Sequence, residues 1–202
     1  MKYGRDENRK MKTSVNSPLR LDFIPTKLAG EIAITFCPGK YQPIAWNGPW
    51  DRDLDLDLKH ISAYETENGM SVSTIVTLIE EHEFVDLRVE ELGPKAEEMG
   101  FIWIHLPFKD GWHPHEGWLR EWNDSKSQLI SSLEAGENVM IHCKGGIGRA
   151  GTVSALLLHE IGYSIHDAID MVREARSQSC IDEMIPVGAT MSQFEWLMVN
   201  FS

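Results

Sequence analysis

At 202 residues, with 42% hydrophobic and 25% charged content, the chain is long enough for one α/β domain with a sizeable core and is composed like a soluble globular protein. Its net charge of −12 argues against nucleic acid, whose binding depends on Lys and Arg neutralising phosphates. No run approaches the ~18 apolar residues of a membrane span, so no membrane partner is expected.

Residues 1–20 are basic and polar and lack an apolar h-region, so they read as a flexible N-terminal arm rather than a secretory signal. One domain is expected over 21–202, and the cytoplasm is the default address. The three cysteines, Cys37, Cys143 and Cys180, have no paired spacing, which fits a reducing compartment and leaves a thiol free for chemistry.

Glu31 to Phe36 is a short apolar run ending in Cys-Pro-Gly, a strand running into a turn. Asp51 to Glu65 carries Leu54, Leu58 and Ile61 at helical spacing, stopped by Asn68-Gly69, and its run of aspartates reads as a solvated helix start. Val72 to Ile79 is β-branched and apolar, a buried strand. Glu81 to Met99 reads as one or two short helices around Gly93-Pro94. Phe101 to Leu106 is the next strand, followed by a loop rich in Pro, Gly, His and Trp over Pro107 to Gly117. A helix runs to about Leu133, Asn138 to His142 is a short strand, and Ala150 to Ile161 is a strongly apolar helix. Ser164 can cap a helix to Arg176, and a last helix covers about Ala189 to Asn200.

This alternation implies a mostly parallel central sheet with helices on both faces, an α/β fold. Ligands of such sheets bind outside the carboxyl ends of the strands, which sets the loops after Phe36, Ile79, Leu106 and His142 on one edge.

One of those loops carries chemistry. Val139 to Thr152 reads as a buried strand, a loop containing Gly145, Gly146 and Gly148, and a helix starting near Arg149. Glycines permit the φ > 0 turns that aim successive N–H groups into one concavity, and a helix N-terminus adds unpaired donors and partial positive charge. Arg149 supplies a planar fork for two phosphate oxygens. Lys144, Gly145, Gly146, Ile147, Gly148 and Arg149 thus form a candidate phosphate nest with Cys143 at its floor. A thiol in such surroundings has its nucleophilic thiolate favoured, and His142 and the Thr152 hydroxyl are plausible supporting donors. A Walker-type loop is excluded, because no Gly-Lys-Ser/Thr follows the glycines.

The stretch HCKGGIGRAGT resembles the signature of the protein tyrosine and dual-specificity phosphatases: His-Cys, five residues, Arg, one residue, Gly, Ser/Thr. FIPTKLAGEIAITFCPGKY, HLPFKDGWHP and ATMSQFEWLMVNF are similar to the opening, the acid loop and the closing helix of the kinase-associated phosphatase branch, in the cyclin-dependent kinase inhibitor family. The resemblance implies a tyrosine or dual-specificity phosphoprotein phosphatase working through a cysteinyl-phosphate, with a phosphorylated protein, a kinase included, as substrate. It also places Asp110 as general acid, with Glu116 or Asp124 as the alternatives the same region offers, Thr152 beside the departing thiolate and Gln193 as a water-positioning residue. Neither a metal nor another cofactor is expected, since His105, His113 and His115 match no standard zinc spacing.

Two alternatives stand beside this reading. Lys144 could meet an extra phosphate in a phosphoinositide or other non-protein phosphate monoesterase. A non-catalytic phosphoprotein-binding module could keep the nest without turnover, although Cys143 and Arg149 are both present. Cys37 or Cys180 could also form a reversible disulfide with Cys143.

Overall fold

Continuous runs of β-branched and aliphatic residues, too short for helices, become strands buried on both faces. The computed structural model describes residues 10–45, 48–65, 69–177 and 191–202. In chain order they form β1 (Asp22–Ile24), β2 (Ile32–Phe36), β3 (Tyr41–Gln42), β4 (Trp50–Asp51), α1 (Leu54–Ser62), β5 (Val72–Thr77), α2 (Glu81–Leu87) and α3 (Leu92–Glu98). Then follow β6 (Ile102–His105), α4 (Glu116–Glu134), β7 (Asn138–Cys143), α5 (Gly148–Glu160), α6 (Ile165–Arg176) and α7 (Met191–Phe201).

The main sheet has five strands in the order β1-β2-β7-β5-β6. β2, β7, β5 and β6 are parallel, and β1 lies antiparallel on the edge. The period-2 alternation of strands sorts side chains to opposite faces. Ile34, Ile141 and Val76 pack with α4, α5, α6 and α7, while Ala33, Met140 and Ile75 pack with Leu58 and Ile61 of α1 and Ala96 of α3. Helices therefore cover both faces, as the alternating pattern implied.

Trp118 and Trp122, one helical turn apart on α4, are buried and stacked at 5.6 Å, which makes them core rather than ligand-binding residues. Helix ends follow local chemistry. Asp53 caps α1 through the Leu56 amide at 2.9 Å, His115 caps α4 through Trp118, and Ser164 caps α6 through Asp167.

Three features differ from the sequence expectation. The stretch expected as a flexible arm is docked from Lys12 onward: Lys12 exchanges hydrogen bonds with Pro49 and Asp51, and Leu19 is buried. Residues 1–9 lie outside the described part, as does Cys180. The aspartates over 51–57 are not uniformly solvated, because Asp57 is 1% exposed and bound to Arg52 at 2.7 Å. Finally, β1 and the β3–β4 ribbon carry only two or three residues each and gave no periodic signal.

Candidate active site

β7 ends in Cys143 and α5 starts at Gly148, so the loop between them sits at the carboxyl edge of the sheet. It is pressed onto the end of β2. Gly146 takes φ +68, and a Cβ there would fall 2.5 Å from the Thr35 carbonyl oxygen. Only glycine fits that turn. Its amide donates to Cys143 Sγ at 3.2 Å, which aims a backbone donor at the sulfur. Ile147, at the N-cap of α5, supplies no side-chain cap, so the first amides of that helix have no competing side-chain acceptor there.

Arg149 sits on the first turn of α5 and is fully buried. Its guanidinium donates to Glu83 Oε2 at 2.5 Å and Oε1 at 3.0 Å, and to the Leu78 and Phe108 carbonyls at 3.2 and 3.3 Å. Burial opposes its charge, but the hydrogen-bonded Glu83, then Cys143 and Asp110, hold its pKa above the ordinary value. Glu83 is buried in turn. Burial pushes its carboxyl up, yet the Arg149 hydrogen bonds and charge outweigh that, and its pKa is lowered. Glu83 also closes a capping box on α2, accepting from its Glu80 amide at 2.9 Å. Sequence reading missed this residue. The signal available was chemical: a buried guanidinium requires a carboxylate, and Glu83 starts the helix that follows β5 on the same sheet edge.

Asp110 lies in the turn after β6 with its side chain 64% exposed, and its Oδ1 is 3.2 Å from Arg149 Nε, an ionic contact rather than a hydrogen bond. That turn is anchored from two sides. Trp118 Nε1 donates to the Leu106 carbonyl at 3.0 Å, and Gln193 Nε2, from buried Gln193 at the start of α7, donates to the Trp112 carbonyl at 3.0 Å. Gln193 therefore reaches the acid loop through its backbone. Trp112 itself is 55% exposed, with Lys109 Nζ 4.8 Å from its ring centroid.

His142 is fully buried and faces β5, its Nε2 2.8 Å from Thr77 Oγ1, which also accepts from Trp103 Nε1 at 2.9 Å. Burial pulls its pKa down to about 3, which leaves the ring neutral across the physiological range. Thr152 donates to the Gly148 carbonyl at 2.8 Å, closing its own helical turn one turn above the loop. Lys144 is half-buried, and its carbonyl points back toward β2, accepting from Lys40 Nζ at 3.0 Å. Cys143, Arg149 and Asp110 are thus brought to one point, with Gln193 and His142 supporting the backbone on either side. His105, His113 and His115 diverge: His105 Nε2 meets the Ile79 carbonyl, His113 Nδ1 the Pro114 carbonyl, and His115 caps α4.

A buried cysteine beneath a helix N-terminus, an adjoining buried arginine and a loop carboxylate define a cysteine-based phosphatase domain. The family model described as "Swiss Army Knife protein, DSP-PTPase phosphatase domain" matches residues 58–186, and the chain belongs to that family. It is similar to the PRL-1 phosphatase of Drosophila melanogaster, at 30% identity over 127 residues, covering 62% of this chain and 65% of the relative. It is also similar to cyclin-dependent kinase inhibitor 3 of Mus musculus, at 25% identity over 147 residues, covering 72% and 62%. The chain therefore spans somewhat under two thirds of the length of these curated relatives. Among solved structures, a kinase associated phosphatase superposes with TM-score 0.71 at 21% identity, over 90% of this chain and 93% of that one. Tk-PTP in its active form superposes with TM-score 0.60 at 23% identity, over 89% and 94%. At those identities the superpositions establish the shared fold.

Proposed function

We propose that the protein is a phosphoprotein phosphatase, of tyrosine or dual specificity, that works through a cysteinyl-phosphate at Cys143. One observation carries the reading: Cys143 Sγ, the uncapped start of α5, and Arg149 with Asp110 3.2 Å away meet at a single sheet edge. Family membership supports it.

In the reaction the Cys143 thiolate attacks phosphorus in line, forming the S–P bond as the P–O bond to the leaving group breaks. Asp110 gives its proton to the departing oxygen. The amides of Lys144, Gly145, Gly146, Ile147 and Gly148, with the Arg149 guanidinium, hold the equatorial oxygens. Water then attacks the cysteinyl-phosphate, giving its proton to Asp110 and releasing the Cys143 thiolate and inorganic phosphate. Thr152 stands one helical turn beyond Gly148, and a rotation of its hydroxyl away from the Gly148 carbonyl would free it to donate toward the loop. Gln193 acts by holding the acid loop, and water positioning by its amide would require it to leave the Trp112 carbonyl. His142, neutral and fixed by Thr77, orients the strand end that delivers Cys143.

A phosphorylated protein is the substrate class, a kinase being one instance, in keeping with the kinase associated phosphatase that shares the fold. Among the described residues no helix is long and apolar enough to cross a membrane, and a reducing cytoplasm is the compartment that suits a free thiol nucleophile. Release of phosphate from p-nitrophenyl phosphate at mildly acidic pH tests the reading. Wild type is expected to turn over, and Cys143→Ser to lose roughly 10⁴-fold or more. Full activity in Cys143→Ser, or an inactive wild type, would overturn it.

A further inference from the structure

Lys40 is 1% exposed, although it carries one of the strongest hydration requirements in the chain. The turn Cys37-Pro38-Gly39-Lys40 after β2 puts it there. Gly39 sits at φ +71, where a Cβ would come 2.6 Å from Leu54 Cβ, and its amide donates to Asp57 Oδ2 at 2.8 Å. Turned back in this way, Lys40 Nζ donates to the Lys144 carbonyl and lies 4.8 Å and 4.9 Å from the ring centroids of Phe36 and Trp50.

A buried ammonium needs compensation. Asp57 is already committed to Arg52 at 2.7 and 2.8 Å and to Gly39. Two aromatic faces and one carbonyl supply part of what Lys40 needs. The acidic groups that act on it are two thiols, Cys37 in its own turn and Cys143 across the sheet, while Arg52 and Lys144 oppose it as cations. Burial pulls Lys40 down and the two thiols offset part of that, so that it stands at about 8. Cys37 is itself pushed up to about 12, chiefly by burial, and is a neutral thiol at pH 7. The thiol that remains is Cys143, paired with Phe36 across the sheet and directly preceding the Lys144 whose carbonyl Lys40 holds.

We propose that Lys40 is a positioning residue of the phosphate nest, a second cation acting from behind the loop. It pins the Lys144 carbonyl away from the nest. Because the peptide is trans, this directs the Gly145 N–H the opposite way. Its charge, buried and held on the residue next to Cys143, favours an anion on that sulfur at a site that solvent screens poorly. This role rests on the phosphatase reading for what the nest binds.

The test is the pH profile of Cys143 alkylation by iodoacetamide, mapped by mass spectrometry in wild type, Lys40→Met, Lys40→Gln and Lys40→Arg. Loss of the charge is expected to move the onset of Cys143 reactivity up by about one pH unit, tenfold less thiolate at a fixed lower pH. Lys40→Arg should restore most of it. Lys40→Gln keeps a donor for the Lys144 carbonyl, and is expected to follow Lys40→Met in the profile. Thermal melts of the two neutral variants should fall at or above wild type, since a desolvated charge has been removed. Unshifted profiles in both neutral variants, or unfolding of both, would make Lys40 a strut of the fold and overturn the proposal. A wild type that releases no phosphate while Lys40→Met still shifts the Cys143 profile would count against the phosphatase reading alone.

Discussion

The phosphate nest and the acid loop face each other across one edge of the sheet, but they are built in opposite ways. Cys143, His142 and Arg149 are 3%, 0% and 0% exposed, and the loop between them rests on β2 and on the buried Glu83. Asp110 is largely in solvent, and its loop is tied through the backbone carbonyls of Leu106 and Trp112. On the proposed mechanism the nest presents donors to a dianion without reorganising, so rigidity would serve it. The acid in that mechanism approaches a leaving group whose size varies and then hands over a proton, so a solvent-facing loop with distant anchors would serve it. Damage to the nest should therefore act on every substrate, and damage to the acid loop should depend on the leaving group.

Asp110→Asn breaks that comparison most sharply. With a phosphopeptide, whose leaving oxygen needs a proton, kcat is expected to fall roughly 10²- to 10⁴-fold. With p-nitrophenyl phosphate, whose leaving group is stable as an anion, the first step should fall far less. Burst kinetics on both substrates isolate that first step, and equal losses in it would remove Asp110 from the acid role.

Glu83→Ala acts on the other side. Breaking the pair leaves Arg149 without its buried carboxylate, with only the exposed Asp110 as a counter-charge, which costs about 3 kcal/mol of stability, and kcat/KM should drop on both substrates alike. Thermal or urea unfolding measures the first effect. The sign with pH follows from a lowered carboxyl. The contribution of Glu83 is whole above its ordinary 4.5 and fades as pH falls through its lower folded value. The stability gap between wild type and Glu83→Ala should accordingly narrow in acid.

How much of this was legible in the sequence follows the same division. The nest is contiguous, so the Gly145, Gly146 and Gly148 spacing, the preceding strand and the following helix could all be read from a dozen neighbouring residues. The parallel sheet followed from alternating apolar runs, and the location of Asp110 on the same edge as Arg149 from its place after a strand end. What could not be read are partners supplied from far along the chain. Glu83 is 66 residues from Arg149, and Lys40 is 104 residues from Lys144. Local propensity carries no information about such pairs. The same holds for Asp57, which looked like one of several surface aspartates until Arg52 and Gly39 closed around it. Docking of the chain from Lys12 onward was hidden for another reason, since its bonds to Pro49 and Asp51 use backbone groups that every residue has.

Gln193→Ala sharpens the comparison with the smallest effect. Loss of one hydrogen bond to the Trp112 carbonyl should cost about 1 kcal/mol of loop positioning and lower kcat a few-fold. Alkylation of Cys143 by iodoacetamide should stay unchanged, because the nest is supported independently. A Gln193→Ala protein with altered Cys143 reactivity would show that the two regions are coupled more tightly than their separate anchors imply.

The central claim is that Cys143 takes the phosphoryl group. Asp110→Asn offered p-nitrophenyl phosphate should form the thiophosphate readily but hydrolyse it slowly, because the base for the second step is gone. Denaturing the mixture within seconds and mapping its peptides by mass spectrometry should place a phosphate on Cys143. Steady turnover with no phosphate on Cys143 at any time, or with phosphate on another side chain, would contradict the account.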